Sequence, residues 1–156
     1  MSKQVTIGSN TFILNQSGDN PPWGEELSDL LQALVDAAND TLGPNDIAKT
    51  KFELSNNVTT PTNISALNFD ITQVRSAVIE YSIYRTSDSQ ELSECGTMLI
   101  TYKSIAGTWE VARYGVGDAG VEITITSVGQ AQYKSTDIGT NPTGLLTFKA
   151  RAYEQN

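Results

Sequence analysis

From Ala77 onward the chain sets an apolar side chain at every second position, and that period of two leaves little freedom in the choice of fold. Ala77, Ile79, Tyr81 and Ile83 alternate with Val78, Glu80, Ser82 and Tyr84. Met98, Ile100 and Tyr102 repeat the pattern, as do Trp109, Val111 and Arg113, then Val121, Ile123 and Ile125 against Glu122, Thr124 and Thr126. Ala131 and Tyr133 mark a short partner strand, and Leu146, Phe148, Ala150 and Ala152 alternate with Thr147, Lys149, Arg151 and Tyr153 in a last one. Successive residues of a strand point to opposite faces, so each run offers one face to a core and one to water. Gly107, Gly115 to Gly117, Gly129 and the stretch from Gly139 to Gly144 separate the runs at intervals that suit antiparallel strands joined by turns. A further strand is expected around Ala66 to Val74, and Asp88 to Glu94 reads as a polar loop.

The first quarter differs in pattern and in charge. Val5 to Ile7 and Thr11 to Leu14 read as extended, and Gly18-Asp19-Asn20-Pro21-Pro22 as a turn or rigid approach. Leu27, Leu30, Leu31, Leu34, Val35, Ala38 and Leu42 then recur at helical spacing behind Glu25 and Glu26, whose charges suit a helix N-terminus. Gly43-Pro44 ends this amphipathic helix over 25–42. Its stripe covers either a sheet of the same chain or copies of itself on sister subunits, with Trp23, Leu30 and Leu34 near the contact in both cases. Residues 1–42 hold one base, Lys3, against six acids, a net of −5 out of −8 for the chain. That asymmetry suits either docking on a positive surface or a solvated acidic helix face. The expected fold is mainly β with one N-terminal helix, a small antiparallel β-sandwich or barrel. It divides into an N-terminal segment 1–55 and an antiparallel β domain 56–156.

Chemistry finds few handholds. The chain has no histidine and a single cysteine, Cys95, which excludes histidine-based triads, an intramolecular disulfide and a thiolate metal cluster. With no imidazole to activate it, Cys95 reads as a small packed or idle thiol. Glu25 and Glu26 are neighbours that diverge around a helix, and no other carboxylates are spaced to converge on a glycosidic bond. Gly115-Val116-Gly117-Asp118-Ala119-Gly120 precedes a β-like run instead of opening a helix, so it reads as a tight hairpin turn and not as a phosphate loop. No twelve-residue acidic calcium loop is present. No catalytic residue, metal or cofactor is therefore expected. Scattered bases on an acidic chain give no footprint for nucleic acid, and no run of about 18 apolar residues predicts a membrane-spanning helix.

Aromatic residues on the wrong parity are the better lead. Tyr84, Tyr114 and Tyr153 fall opposite the core faces of their strands. Tyrosine combines a large apolar ring with a polar tip, so the three are candidates for a ligand or subunit surface, either a glycan-stacking patch or a subunit contact, with Arg85, Lys103 and Arg151 as its border. Isolated tyrosines on an ordinary sheet surface are the plainer alternative.

The stretch from Phe12 through Pro21-Pro22-Trp23-Gly24-Glu25-Glu26, continued by the helix to Gly43-Pro44-Asn45-Asp46-Ile47, resembles a segment of virion proteins of tailed bacteriophages. Ser76 to Thr86, Gly117 to Thr126 and Gly144 to Lys149 resemble a β domain of fibre or decoration proteins of such particles. The resemblance implies a non-enzymatic virion structural protein, assembled in the host cytoplasm. Its N-terminal region would be anchored to the capsid, collar or tail, and its β domain presented as a short fibre or decoration. Attachment or oligomer contact would fall on Phe12, Leu14, Trp23, Leu30 and Leu34. The implied partners are other virion structural proteins and copies of the chain itself, as a homotrimer. The alternative is a carbohydrate-binding module of a phage adsorption apparatus that takes a host surface glycan on the exposed tyrosines.

Overall fold

The structure is a computed structural model that describes residues 3–7, 10–14, 30, 31, 34 and 42–154. The chain falls into two units, Met1–Thr41 and Leu42–Asn156. In the first, β1 (Lys3–Ile7) pairs antiparallel with β2 (Asn10–Leu14), with Val5 opposite Phe12 and Lys3 opposite Leu14. Trp23 lies outside the described residues, as does the helix predicted over 25–42 apart from Leu30, Leu31, Leu34 and Leu42. The described residues delimit no helix.

The second unit is built from β3 (Ile47–Glu53), β4 (Thr62–Asn68), β5 (Val74–Thr86), β6 (Glu91–Lys103), β7 (Thr108–Gly117), β8 (Val121–Ile125), β9 (Gln130–Ser135) and β10 (Thr143–Glu154). They form two antiparallel sheets, one ordered β3-β10-β5-β6-β7 and the other β4-β9-β8. Neither closes on itself, so the barrel alternative is wrong: each sheet keeps two edge strands. The sheets bury their inner faces in one core. Ile79, Ile83, Met98, Ile100, Leu146 and Phe148 come from the larger sheet, and Ile64, Leu67, Val121, Ile123, Ala131 and Tyr133 from the smaller. Phe52 meets Tyr133 edge-on across the gap with ring centroids 5.6 Å apart, a favoured aromatic geometry.

Period-two alternation carries this result, since β5 buries Ala77, Ile79, Tyr81 and Ile83 and turns Glu80, Ser82 and Tyr84 to water. Several local expectations are corrected. The strand expected at Ala66 to Val74 lies instead at Thr62–Asn68, because Asp70 closes a turn: its side chain accepts from the Thr72 amide at 2.8 Å and its carbonyl from the Gln73 and Val74 amides. Most of the polar stretch taken for a loop belongs to β6, which begins at Glu91. Gly115 and Gly117 lie inside β7, and the following link is no hairpin, because β7 and β8 belong to different sheets.

Four links cross between the sheets: β3 to β4, β4 to β5, β7 to β8 and β9 to β10. Three of them meet at Arg85, which the expected tyrosine border had placed on the surface. It continues the inward parity of Ile83 and is only 1% exposed. Its guanidinium donates to Asn56 Oδ1 (2.9 Å) in the first link, to the carbonyls of Ala119 (2.9 Å) and Gly120 (3.3 Å) in the second, and to Thr136 O (2.6 Å) and Oγ1 (3.2 Å) in the third. Asn56 Oδ1 also accepts from the Ile138 amide at 3.0 Å, and Ser135 Oγ bridges the Val58 amide and the Ser55 carbonyl. A planar fork of five donors can serve separated acceptors in this way, whereas an ammonium on a simple stem cannot.

Arg85→Lys keeps the charge but strands most of these acceptors. It is expected to cost about 3 kcal/mol or more in urea unfolding. Thr101→Ala, on the outer face of β6, should stay within about 0.5 kcal/mol.

Candidate functional site

On the inner face of β6, Glu94 is a carboxylate whose side chain is only 10% exposed. The cross-strand row Tyr81, Gly96, Gly115 explains why it is there. A Cβ on Gly96 would lie 2.2 Å from the Tyr114 carbonyl, and one on Gly115 would lie 2.9 Å from the Tyr81 hydroxyl. The two glycines thus leave the space that the Tyr81 hydroxyl, Glu94 and Arg113 fill. Tyr81 donates to Glu94 Oε1 at 2.7 Å, Arg113 donates through Nε to the Tyr81 oxygen at 2.7 Å and pairs with Glu94 Oε1, and Arg113 Nη1 donates to Val121 O at 2.9 Å. The Ala119 amide donates to Glu94 Oε2. Burial pushes the Tyr81 hydroxyl above its ordinary value and Glu94 adds to this, while the hydrogen bond from Arg113 opposes it. Every strong group in this cluster is matched by a neighbour, and its chemistry is that of a structural lock.

At Arg85, burial lowers the guanidinium from its ordinary value, opposed by the nearby Asp137 carboxylate. Asp137 itself is held below the usual carboxylate range by the Gly139 amide (2.9 Å) and by the Asn56 side-chain amide (2.7 Å). A shallow groove of about 610 Å³ adjoins this end, with Asn57, Thr59, Asp118, Glu122, Lys134 and Thr136 among its walls. It has no aromatic surface, and Glu122 sits directly across from Lys134 in the β8–β9 register.

The outer face of the five-stranded sheet is different. Tyr84, Tyr114 and Tyr153 all lie on it, 46%, 64% and 56% exposed, but the register does not bring them together. Tyr153 is opposite Ser76, eight residues along β5 from Tyr84, or ~27 Å. Tyr114 is opposite Thr97, and Thr97 opposite Glu80, which puts it two strands over and four residues along, ~17 Å from Tyr84. Of the expected border, Arg85 is buried, as described, and Lys103 is paired with Glu110. Tyr114 instead stands near Val116 and Leu99 on β7 and β6, where 78% of Val116 and 43% of Leu99 is exposed. Among the described strands β7 is an edge, with a row of backbone donors and acceptors that none of them pairs. Cys95, opposite Val116, is an exposed thiol and not a packed one.

Tyr84 sits in the wall of a depression of about 400 Å³ with Glu53, Pro142, Thr143 and Leu145. A second depression, about 360 Å³, is lined by Lys49, Glu80, Ser82, Thr147 and Lys149. The register joins them into one strip. Glu53, Leu145 and Tyr84 form one cross-strand row over β3, β10 and β5, and Lys51, Thr147 and Ser82 the next. Beyond these, Lys149 is opposite Glu80, with which it pairs at 2.9 Å, and Lys49 is on the β3 side at the β10 bulge. The small hydroxyl side chains of the middle row form a low floor between an aromatic end and a basic end. From Tyr84 to Glu80 the strip runs four residues, or ~13 Å. Of this strip the outward parity of Glu80, Ser82, Tyr84, Thr147 and Lys149 is readable from sequence, but only Tyr84 stood out as a candidate. Lys49, Lys51 and Glu53 were missed because β3 was not recognised as a strand.

Among the described residues no group of three side chains could hold a metal ion, and no helix is long and apolar enough to cross a membrane. No family model matches the chain, and no curated protein matches it. Among solved structures, the chain is similar to the tailspike protein of Acinetobacter phage vB_ApiP_P1, at 10% identity with a TM-score of 0.36 over 72% of this chain. The match spans 22% of that tailspike chain.

Because Asp137 and Asp70 both have lowered values in the folded state, each contributes stability that is present above the ordinary carboxylate value, about 4, and lost as pH falls through the folded value. Thermal midpoints measured from pH 5 downward should therefore drop, and Asp137→Asn, which keeps an acceptor oxygen but cannot titrate, should make that drop shallower.

Proposed function

We propose that this chain is a non-enzymatic component of a bacteriophage adsorption apparatus whose β unit binds carbohydrate on the outer face of its five-stranded sheet. The observation that carries this reading is the setting of Tyr84. A half-exposed ring stands beside Leu145 at the wall of a depression whose other polar side chains are a carboxylate, Glu53, and a hydroxyl, Thr143. The C–H face of a sugar ring is apolar and suits an aromatic face, while its hydroxyls need acceptors and donors at the edge. The non-enzymatic part is supported by Glu94, whose oxygens are engaged by Tyr81, Arg113 and the Ala119 amide. The phage context is supported by the resemblance of residues 12–47 and of the β runs to virion proteins.

A second reading is that of a structural subunit, anchored through its N-terminal region and joined to copies of itself as a short fibre or decoration. The exposed Tyr114, Val116 and Leu99 beside the unpaired edge of β7 favour it. The two readings separate by mutation. On a glycan array followed by calorimetry, Tyr84→Ala should weaken saturable glycan binding by about tenfold or more, a loss of about 1.4 kcal/mol, while Tyr114→Ala leaves it unchanged. If Tyr114→Ala instead dissolves an oligomer seen by sedimentation and no glycan is bound, the structural reading replaces the first.

A further inference from the structure

The strip beside Tyr84 has a charge that the rest of the protein lacks. The chain has ten basic and eighteen acidic side chains, a net of −8. Two of the basic ones, Arg85 and Arg113, are spent inside the unit. Of the remaining eight, four stand on the outer face of just two adjacent strands: Lys49 and Lys51 on β3, Lys149 and Arg151 on β10. The acids facing them are Glu53 at the aromatic end and Glu80, and Glu80 is paired with Lys149 at 2.9 Å. Among the described residues neither Lys49 nor Lys51 has a carboxylate within salt-bridge distance. Lysines on an edge strand also deter pairing with other chains, and β3 is an edge. That role does not account for Lys149 and Arg151, because β10 lies inside the sheet between β3 and β5.

Resting on the carbohydrate reading above, we infer that the ligand of this strip is an anionic oligosaccharide, held with one sugar ring on Tyr84 and its carboxylates directed to Lys51, Lys49 and Lys149. The order of groups along the strip sets the orientation. Tyr84, Leu145 and Glu53 give a stacking surface with an acceptor at its rim; Ser82 and Thr147 offer hydroxyls on a floor low enough for a chain to lie across; the lysines close the other end. Negative charge on the ligand is favoured here and repelled over most of the remaining surface, so the charge pattern selects the place of binding as well as the class of ligand. Arg151, opposite Val78, extends the basic end by one more row and lets a longer acidic chain continue along β10.

The test uses the full chain and a panel of acidic oligosaccharides (oligogalacturonate, oligomannuronate, hyaluronan fragments and oligosialic acid), each beside its carboxyl-methylated form, with single-stranded DNA as an unrelated polyanion. At least one acidic member should bind, its methylated form about tenfold or more weaker, with affinity falling as salt rises. Lys51→Gln and Lys49→Gln, both at exposed positions, should each lower affinity for the acidic form several-fold and lower that for the methylated form by a clearly smaller factor. Tyr84→Ala should weaken both. Equal binding of acidic and methylated forms, or binding of neutral glycans alone, overturns the anionic inference and leaves the carbohydrate reading standing. Binding of DNA as tight as that of the acidic glycans overturns it too, since the strip would then be a general polyanion surface. Failure of every glycan, acidic or neutral, overturns both.

Discussion

A guanidinium withdrawn from water needs acceptors for its N–H groups, and every one left unmet destabilises the fold that buried it. In this protein the acceptors of Arg85 are carbonyls and side-chain oxygens of three chain links, each of which carries the backbone from one sheet to the other. Among the described residues no carboxylate is within salt-bridge distance of it, and Asp137 acts from a distance while bonded to the Asn56 amide and the Gly139 amide. Satisfying Arg85 and closing that end of the two-sheet unit are consequently one event. Much else follows from that closure: the register of Leu54 against Gly144, the Ser135 bridge between Ser55 and Val58, and the place where β3 comes to lie beside β10.

Alternation in β5 divides the labour of the larger sheet. Inward, Ile79 and Ile83 supply apolar area while Tyr81 and Arg85 hold the two polar locks, one against Glu94 and Arg113 and the other against the links. Outward, Glu80, Ser82 and Tyr84 form no side-chain hydrogen bond or ion pair among the described residues apart from the Glu80–Lys149 pair. The same strand thus fixes the scaffold on one side and displays three consecutive outward positions of the candidate strip on the other. Because strands are rigid carriers of side chains, the spacing of that strip is set by the sheet and not by a loop.

What could be read from sequence divides along the same physical line. Strands whose two faces differ sharply, such as Ala77 to Ile83 or Leu146 to Ala152, announce themselves by alternation. β3 does not, because on an edge it buries little, with Phe52 half-buried and Lys49 and Lys51 exposed. The first half of β6 hides for another reason: its inward positions Glu94 and Gly96 serve the polar cluster, so neither face looks apolar. Glycine misled as well. Gly115 and Gly117 look like a turn but serve close approach within a strand, with Gly117 at φ +88° and its absent Cβ only 2.2 Å from the Ser93 carbonyl. Arg85 was misplaced: it continues the inward parity of Ile83, yet its charge put it on the border of the exposed tyrosines, because the chain links that satisfy it come from distant parts of the sequence. The strip beside Tyr84 was not legible, because it exists only when β10 inserts between β3 and β5, strands far apart in the chain.

On the carbohydrate reading proposed above, the inner face of the five-stranded sheet holds the fold together and the outer face of β3, β10 and β5 takes the ligand. Following backbone amide chemical shifts during titration with an acidic oligosaccharide tests it most directly. Shifts should concentrate at Lys51, Glu53, Ser82, Tyr84, Thr147 and Lys149 while those of β8 and β9 stay in place. Shifts gathered instead around Asn57, Glu122 and Lys134, or along the free edge of β7, would contradict it.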